Sequence, residues 1–138
     1  MISVRKQEVV KLENVLHLYQ AVGWTNYTHQ PQMLEKSLSH SLAIYLALDG
    51  EAIVGLVRLV GDGFSSVFVQ DLIVLPSYQR QGIGSALMKE ALGDFKDAYQ
   101  VQLVTEQTEK TLGFYRSLGF ETLSTYDCTG MIWVDRKR

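Results

Sequence analysis

The segment that most constrains the fold is an apolar strand followed by a proline, a glycine-containing turn and an amphipathic helix. The apolar run Val67–Val74 predicts a strand, Pro76 ends it, and Gln79–Gly84 forms the turn. Apolar residues then recur on one helix face, at Ile83, Leu87, Ala91, Leu92 and Phe95. A further strand is predicted over Tyr99–Thr105, and strands that alternate with helices in this way indicate a partly parallel sheet. The segment therefore predicts an α/β fold.

The rest of the chain predicts more strands and helices around the same sheet. Asp49-Gly50 lies between the apolar runs Leu42–Leu48 and Ala52–Val60 and predicts an antiparallel hairpin. Further strands are predicted over Ile2–Arg5, Glu121–Ser124 and Met131–Val134, and further helices over residues 12–22, 31–38 and 108–118. The 138 residues contain no linker or repeat, and about 150 residues is the usual length of one domain. We therefore predict one domain over residues 1–138, with a mixed sheet flanked by helices.

Composition and charge argue against several classes of protein. Thirteen Lys and Arg against fifteen Asp and Glu leave a net charge of −2, whereas a nucleic-acid-binding domain normally carries a basic surplus. No apolar run reaches the ~18 residues of a membrane span, and the first residues contain no apolar signal core, so we expect a cytoplasmic protein. Cys128 is the single cysteine, and the three histidines share no ligand spacing, so we expect neither a disulfide nor a metal site.

The turn before the helix is the segment that most indicates a ligand. Gly82 and Gly84 let backbone N–H groups approach a ligand closely, and a helix N-terminus adds unpaired donors, so the turn suits an anion such as phosphate. The alternative is that the glycines only make a tight turn. A P-loop needs a Lys that is absent here, and a dinucleotide fingerprint needs Gly or Ala where Leu87 stands. Glu106 could imitate the ribose-binding acid of that fingerprint, which leaves a nicotinamide-dependent enzyme as a further alternative.

Two motifs resemble those of the GCN5-related N-acetyltransferases. The run Gln79-Arg80-Gln81-Gly82-Ile83-Gly84 matches the family's Q/R-x-x-G-x-G/A signature, and Phe114-Tyr115-Arg116-Ser117-Leu118-Gly119-Phe120 matches its F-Y-x-x-L-G-F motif. The resemblance implies acetyl-CoA as co-substrate and a mostly antiparallel sheet that is splayed at the coenzyme site. It also implies that the amides of Gln79–Gly84 bind the coenzyme pyrophosphate and that the main chain of Leu72, Ile73 and Val74 binds the pantetheine arm. Thr108 stands where the family usually has a coenzyme-binding Asn, and is predicted to contact the coenzyme.

The residues that bind the acceptor of the acetyl group are predicted from similarity to a smaller group of family members. Around Arg58, Asp62 and Asp71 the chain is similar to short family members and to plant serotonin-type acetyltransferases, which implies a small-molecule primary amine as acceptor. Trp24, Tyr27 and Arg58 are the candidate acceptor-binding residues. The alternatives are that Trp24 packs two helices together and that Arg58 forms an ion pair with Asp62.

Transfer to an amine needs a proton donor for the departing thiolate and a base for the amine. Tyr115 is the candidate general acid, because a phenol with a pKa near ~10 holds its proton at neutral pH. The alternative is that Tyr115 is a core residue in the apolar stripe of its helix. Asp71 is the nearest carboxylate for a base, although strand alternation turns it to the face opposite Leu72 unless a bulge intervenes. The predicted function is therefore an acetyl-CoA-dependent N-acetyltransferase; the alternative is a non-catalytic acyl-CoA-binding or sensing domain. The sequence leaves open the amine, the base and the oligomeric state, a homodimer included.

Overall fold

The computed structural model describes residues 1–135 and divides the chain into two compact units, Met1–Leu103 and a second unit that begins at Val104. The first unit contains five strands and four helices. In chain order these are β1 (Ile2–Lys6), α1 (Leu12–Ala21), α2 (Thr25–Thr28), α3 (Pro31–Ser39), β2 (Ala43–Asp49), β3 (Ala52–Gly61), β4 (Ser66–Val74), α4 (Ile83–Asp94) and β5 (Gln100–Leu103). A 3-10 helix, Pro76–Tyr78, lies between β4 and α4. One domain over residues 1–138 stays a prediction.

The five strands form one sheet in the order β1-β2-β3-β4-β5. The first four strands pair antiparallel with their neighbours, and β5 pairs parallel with β4 after the crossover through α4. This confirms the predicted mixed, mostly antiparallel sheet. The turn into β4 depends on Gly61, whose φ is +127° and where a Cβ would lie 2.3 Å from the carbonyl oxygen of Ser66.

Helices cover both faces of this sheet. On one face a buried cluster joins α1 and α3 to the strands through Val15, Leu18, Leu34, Leu38, Ile44, Leu46, Leu56 and Ile73. On the other face α4 contributes the buried residues Ile83, Leu87, Met88 and Ala91. Leu56 belongs to the first cluster, whereas a Cβ on its neighbour Gly55 would lie 3.2 Å from the Leu87 side chain of α4. Consecutive residues of β3 therefore face the two different helix layers. Burial on both faces explains why β2 and β3 are continuous apolar runs in the sequence.

Strand β4 has one irregularity, next to the end of its pairing with β5. Arg58 of β3 pairs with Asp71, whereas Leu59 pairs with Val69, so Gln70 is the extra residue of a β-bulge. Because Arg58 and Leu59 point to opposite faces of the sheet, Asp71 and Val69 do so as well. Simple alternation would put Asp71 and Val69 on one face. The bulge instead turns Asp71 toward the face that α1–α3 cover.

The described part of the second unit, residues 104–135, contains the helix α5 (Glu109–Ser117), whose N-cap is Thr108. The Thr108 side chain accepts a hydrogen bond from the Thr111 backbone N–H at 3.2 Å, which satisfies one donor of the first helical turn. The predicted helix over residues 108–118 is therefore confirmed to within its two cap residues.

The two closing strands of the sequence prediction are not formed. Residues Leu123–Tyr126 form a 3-10 helix in place of the strand predicted over Glu121–Ser124. The Thr122 hydroxyl lies 3.0 Å from that of Ser124, a local hydrogen bond that favours a turn over a strand. Residues Met131–Val134 are exposed and have no regular structure, and residues 104–135 contain no strand with which they could form a ladder.

Candidate functional site

The open edge of β4 is the first part of the candidate site. Strand β5 pairs only with Ser66–Val69, so Gln70–Val74 has β3 on one side and, within residues 1–135, no strand on the other. This separation of β4 from β5 is the splay that the family resemblance implies. It leaves main-chain groups of β4 accessible to an extended ligand, as at any sheet edge.

The direction of the peptide groups decides which residues face the opening. The N–H of Leu75 donates to the Val54 carbonyl oxygen at 2.9 Å, and successive groups of an antiparallel strand alternate in direction. Leu72 and Val74 therefore direct their main-chain groups away from β3, whereas Ile73 directs its own toward β3. The Val74 carbonyl oxygen accepts a hydrogen bond from Gln79 Nε2 at 3.1 Å. Of the three predicted residues, Leu72 and Val74 thus suit a main-chain contact with the pantetheine arm, and Ile73 is a core residue.

The loop after β4 presents the second part of the site, a row of unpartnered backbone donors. The N–H groups of the six residues 80–85 make no hydrogen bond to any atom of residues 1–135. Gly82 is the N-cap of α4 with a φ of +78°, and Arg80 is held at +66° although it is not a glycine. Consecutive N–H groups at the start of a helix converge on a small region and favour an anion there.

Anchors at both ends hold this loop in place. The Tyr78 hydroxyl donates to Asp49 Oδ2 at 2.6 Å, and this hydrogen bond holds the pKa of the Asp49 carboxyl below its usual range. At the other end the Ile83 side chain is buried beneath α4. The side chains of Gln79, Arg80 and Gln81 are exposed, and a Cβ on Gly82 would meet no protein atom within 4 Å. The loop therefore combines a fixed backbone with open space in front of its donors, which fits the diphosphate of coenzyme A.

A buried polar network lies on the other side of the bulge, centred on Asp71. Its Oδ2 accepts hydrogen bonds from Arg58 Nε at 2.7 Å and from the Tyr19 hydroxyl at 2.8 Å, and its Oδ1 accepts one from the Tyr27 hydroxyl at 2.8 Å. Arg58 and Asp71 are only 4% and 3% exposed. Their charges are paired and their hydrogen bonds are made, as burial of two ionised groups requires.

The structure corrects three of the sequence interpretations. Asp71 is unsuited to act as a base, because three donors occupy its oxygens and the Arg58 guanidinium stabilises its charge. Arg58 has no accessible face for an acceptor. The ion pair between Arg58 and Asp62 is also wrong, since the Asp62 carboxylate accepts hydrogen bonds from the backbone N–H groups of residues 64–66.

The two aromatic candidates lie against this network. Tyr27 is 9% exposed, and Trp24, which is half-buried, has its ring centroid 6.1 Å from that of Tyr19 and 6.2 Å from that of Tyr27. Trp24 thus packs against residues of α1 and α2, whereas the alternative considered for it placed it between the helices predicted over residues 12–22 and 31–38. Burial and the nearby Asp71 raise the pKa of the Tyr27 hydroxyl. Tyr27 contacts the interior network, and an acceptor contact by its hydroxyl is excluded by the hydrogen bonds it already makes.

Two residues of this region escape sequence reasoning. Tyr19 occupies a core position of α1, and its pattern signal is that of any apolar helix residue. Gln70 is the bulge residue of β4, and its Nε2 donates to the Tyr27 hydroxyl at 3.3 Å. The one signal in the sequence was the tyrosine on the buried face of a helix, because a buried hydroxyl needs a hydrogen-bond partner.

Two candidate residues, Tyr115 and Thr108, belong to the second unit. The Tyr115 ring lies 5.0 Å from that of Phe114 and 5.8 Å from that of Phe120, centroid to centroid. Its hydroxyl has no hydrogen-bond partner among residues 1–135, and burial raises its pKa. The hydroxyl therefore holds its proton at neutral pH, as a proton donor must. Thr108 serves as the helix cap already described, and its contact with coenzyme stays a prediction.

Residues 1–135 hold no group of three His, Cys, Asp or Glu side chains arranged for a metal ion. None of the helices there has the length and apolar character to cross a membrane.

Comparison with known proteins agrees with this geometry. Residues 40–122 match the family described as "Acetyltransferase (GNAT) domain". A solved GNAT-family acetyltransferase of Streptococcus pneumoniae TIGR4 is 79% identical, with a TM-score of 0.92 over 99% of both chains. The chloroplastic GCN5-related N-acetyltransferase 1 of Arabidopsis thaliana is 29% identical over 97% of this chain and 68% of its own length.

A second curated relative is the chloroplastic serotonin N-acetyltransferase 2 of Oryza sativa subsp. japonica. It is 30% identical over 66% of this chain and 48% of its own length, so the chain spans only about half of that relative. The family match covers more than half of the chain, including the open edge of β4 and the donor loop. The chain therefore belongs to the GNAT family, whose members are acyltransferases that take their acetyl group from acetyl-CoA.

Proposed function

We propose that this protein transfers the acetyl group of acetyl-CoA directly to a small-molecule primary amine. The observation that carries the proposal is the row of six backbone N–H groups, directly after the open edge of β4, that have no partner in the described part of the chain. The row supplies donors for a diphosphate, and the edge supplies main-chain groups for the arm that ends in the thioester. The amine acceptor is supported by similarity to a relative named as a serotonin N-acetyltransferase.

In the proposed reaction the amine nitrogen bonds to the acetyl carbonyl carbon and the carbon–sulfur bond breaks. The amine loses one proton and the departing thiolate gains one, so that the products are an amide and a thiol. The chain holds the thioester in a fixed place, and placement of two reactants is itself a large part of the rate. The main-chain N–H groups of Leu72 and Val74 suit polarisation of the thioester carbonyl.

Tyr115 is the proton donor in this proposal, a role that rests on the sequence motif. Its hydroxyl is protonated at neutral pH, because burial raises its pKa, and it has no hydrogen-bond partner to compete for the proton among residues 1–135. No carboxylate on β4 is available as a base, since Asp71 is engaged by Arg58, Tyr19 and Tyr27. We therefore propose that water takes the proton of the amine.

Two measurements test the proposal. Coenzyme A should raise the thermal midpoint while NAD at the same concentration does not, because only a ligand of the folded state stabilises it. Release of coenzyme A thiol should then be measured across arylalkylamines, polyamines, amino sugars and peptide N-termini. Turnover of at least one amine, with formation of its amide, is expected. Coenzyme A binding without turnover on any amine would favour the second candidate, an acyl-CoA-binding or sensing domain, which the missing β4 base supports.

The variant Tyr115→Phe tests the proton donor. The ring keeps its volume, so coenzyme A affinity should stay within about twofold, while kcat should fall by about tenfold or more when proton transfer limits turnover. Wild-type kcat in the variant would remove Tyr115 from the chemistry. A loss of thermal stability or of coenzyme affinity would show that the hydroxyl is structural instead.

A further inference from the structure

We infer that Gln70 accepts a hydrogen bond from the acceptor amine, and that Tyr27 is the positioning residue that orients the Gln70 amide for it. The inference rests on the proposed function and adds to it the group that meets the amine.

Gln70 lies where β4 and β5 separate. Val69 is the last β4 residue that pairs with β5, through Leu103, and the open edge begins immediately after it. Gln70 is also the bulge residue, so it has no direct partner on β3. Its side chain is exposed. An amine that attacks a thioester lying along Leu72–Val74 must enter at the place where the two strands diverge.

The network fixes which end of the Gln70 amide points inward. A tyrosine hydroxyl has one proton to donate and two lone pairs that accept. The Tyr27 hydroxyl donates its proton to Asp71 Oδ1 at 2.8 Å and accepts from Arg58 Nη2 at 3.2 Å. The second lone pair of the Tyr27 hydroxyl can only accept a hydrogen bond, and it accepts one from Gln70 Nε2 at 3.3 Å. The amide oxygen of Gln70 is therefore left outward, with no partner among residues 1–135.

The outward group is a neutral hydrogen-bond acceptor. Its complement is an N–H donor, which a primary amine supplies. The charges in the network beneath Gln70 compensate each other, because Asp71 is paired with Arg58. An amide oxygen does not take up a proton at neutral pH, so Gln70 orients the amine and leaves deprotonation to water. The chemical class that fits is an amine recognised through its N–H groups, without an ion pair at this residue.

The first test compares Gln70→Leu with Gln100→Leu, a matched change of an exposed glutamine on β5. Loss of one hydrogen bond to substrate predicts a rise of about tenfold in the amine KM of Gln70→Leu. Its coenzyme A Kd, measured by calorimetry, should match the wild type, and its thermal midpoint should fall by less than that of Tyr27→Phe, because the variant loses a single hydrogen bond to the network. Every constant of Gln100→Leu should match the wild type. An amine KM within twofold of the wild type, or a parallel loss of coenzyme affinity, would overturn the inference.

The second test uses Tyr27→Phe and a double-mutant cycle. Tyr27→Phe removes the hydroxyl that orients the amide, so the amine KM should rise about threefold while the thermal midpoint also falls. If Tyr27 acts on the amine through Gln70, then adding Tyr27→Phe to Gln70→Leu should leave the amine KM unchanged. Additive effects on KM would mean that Tyr27 does not act through Gln70.

The two proposals fail in different ways. If the wild type binds coenzyme A but acetylates no amine in the panel, the proposed function fails and this inference with it. If the wild type acetylates an amine and Gln70→Leu does so with an unchanged KM, only the role of Gln70 fails.

Discussion

The donor loop of residues 80–85 and the buried network around Asp71 differ in whether their hydrogen-bonding groups have protein partners. In the network every donor and acceptor that the interior covers has a partner, and residues 1–135 leave no buried side-chain nitrogen or oxygen unsatisfied. In the loop six consecutive backbone N–H groups have no partner among those same residues. A satisfied group contributes to the stability of the fold, and an unsatisfied group at the surface contributes to binding. The comparison indicates that mutations in the network should change stability first, and mutations in the loop should change affinity first.

The largest expected effect comes from Arg58→Leu, which leaves the Asp71 carboxylate buried without its counter-charge. We expect a loss of about 3–5 kcal/mol in the free energy of unfolding, because an uncompensated buried charge is costly. Urea unfolding followed by circular dichroism measures it. Arg116→Leu is the control, since Arg116 makes an exposed ion pair with Glu121 and should cost about 1 kcal/mol or less. Equal losses in the two variants would contradict the contrast between network and surface.

The next effect, on binding, is expected from Gly82→Ala. A φ of +78° costs an L-residue about 1–2 kcal/mol, so the loop should relax away from the arrangement that gathers its donors. We expect coenzyme A affinity to fall by about tenfold, measured by calorimetry. Gly93→Ala, within α4 and with open space around it, should leave the affinity unchanged and add up to about 1 kcal/mol of stability. A Gly82→Ala protein with wild-type affinity would place the anion elsewhere.

The smallest effect is a change of pH dependence in Tyr19→Phe. Burial, and then the Asp71 charge, raise the pKa of the Tyr19 hydroxyl, so the folded state keeps this proton at a pH where the unfolded chain loses it. Stability from this group is therefore complete below pH ~10 and falls as the pH rises further, by about 1.4 kcal/mol per pH unit.

Unfolding free energies of the wild type and Tyr19→Phe should be compared from pH 7 to 11. The variant should be about 1 kcal/mol less stable at pH 7 and should have a shallower slope above pH 10 than the wild type. The difference between the two slopes isolates Tyr19, because Tyr27 and Tyr45 also have raised pKa values and remain in both proteins. Parallel slopes would mean that the Tyr19 hydroxyl is not held by the network.

The loop was predictable because its signals are local. Pro76 ends a strand, Gly82 permits a left-handed φ, and the helix that follows has a clear apolar face, all within one stretch of chain. The splayed sheet came from the family resemblance that this stretch carries. The closing strands over Glu121–Ser124 and Met131–Val134 were predicted from the local sequence alone, and a strand forms only where another strand pairs with it.

The sequence by itself determined the alternation of strands and helices in the first unit, the donor loop and the membership of the family. Only the tertiary structure decided what Asp71 does. Its partners Tyr19, Tyr27 and Arg58 are 52, 44 and 13 residues away in the chain, and one bulge at Gln70 turns it toward them. Local patterns follow from the geometry of the chain over a few residues. The partners of a buried charge depend on which distant elements the sheet brings together, so the spacing of nearby residues does not predict them.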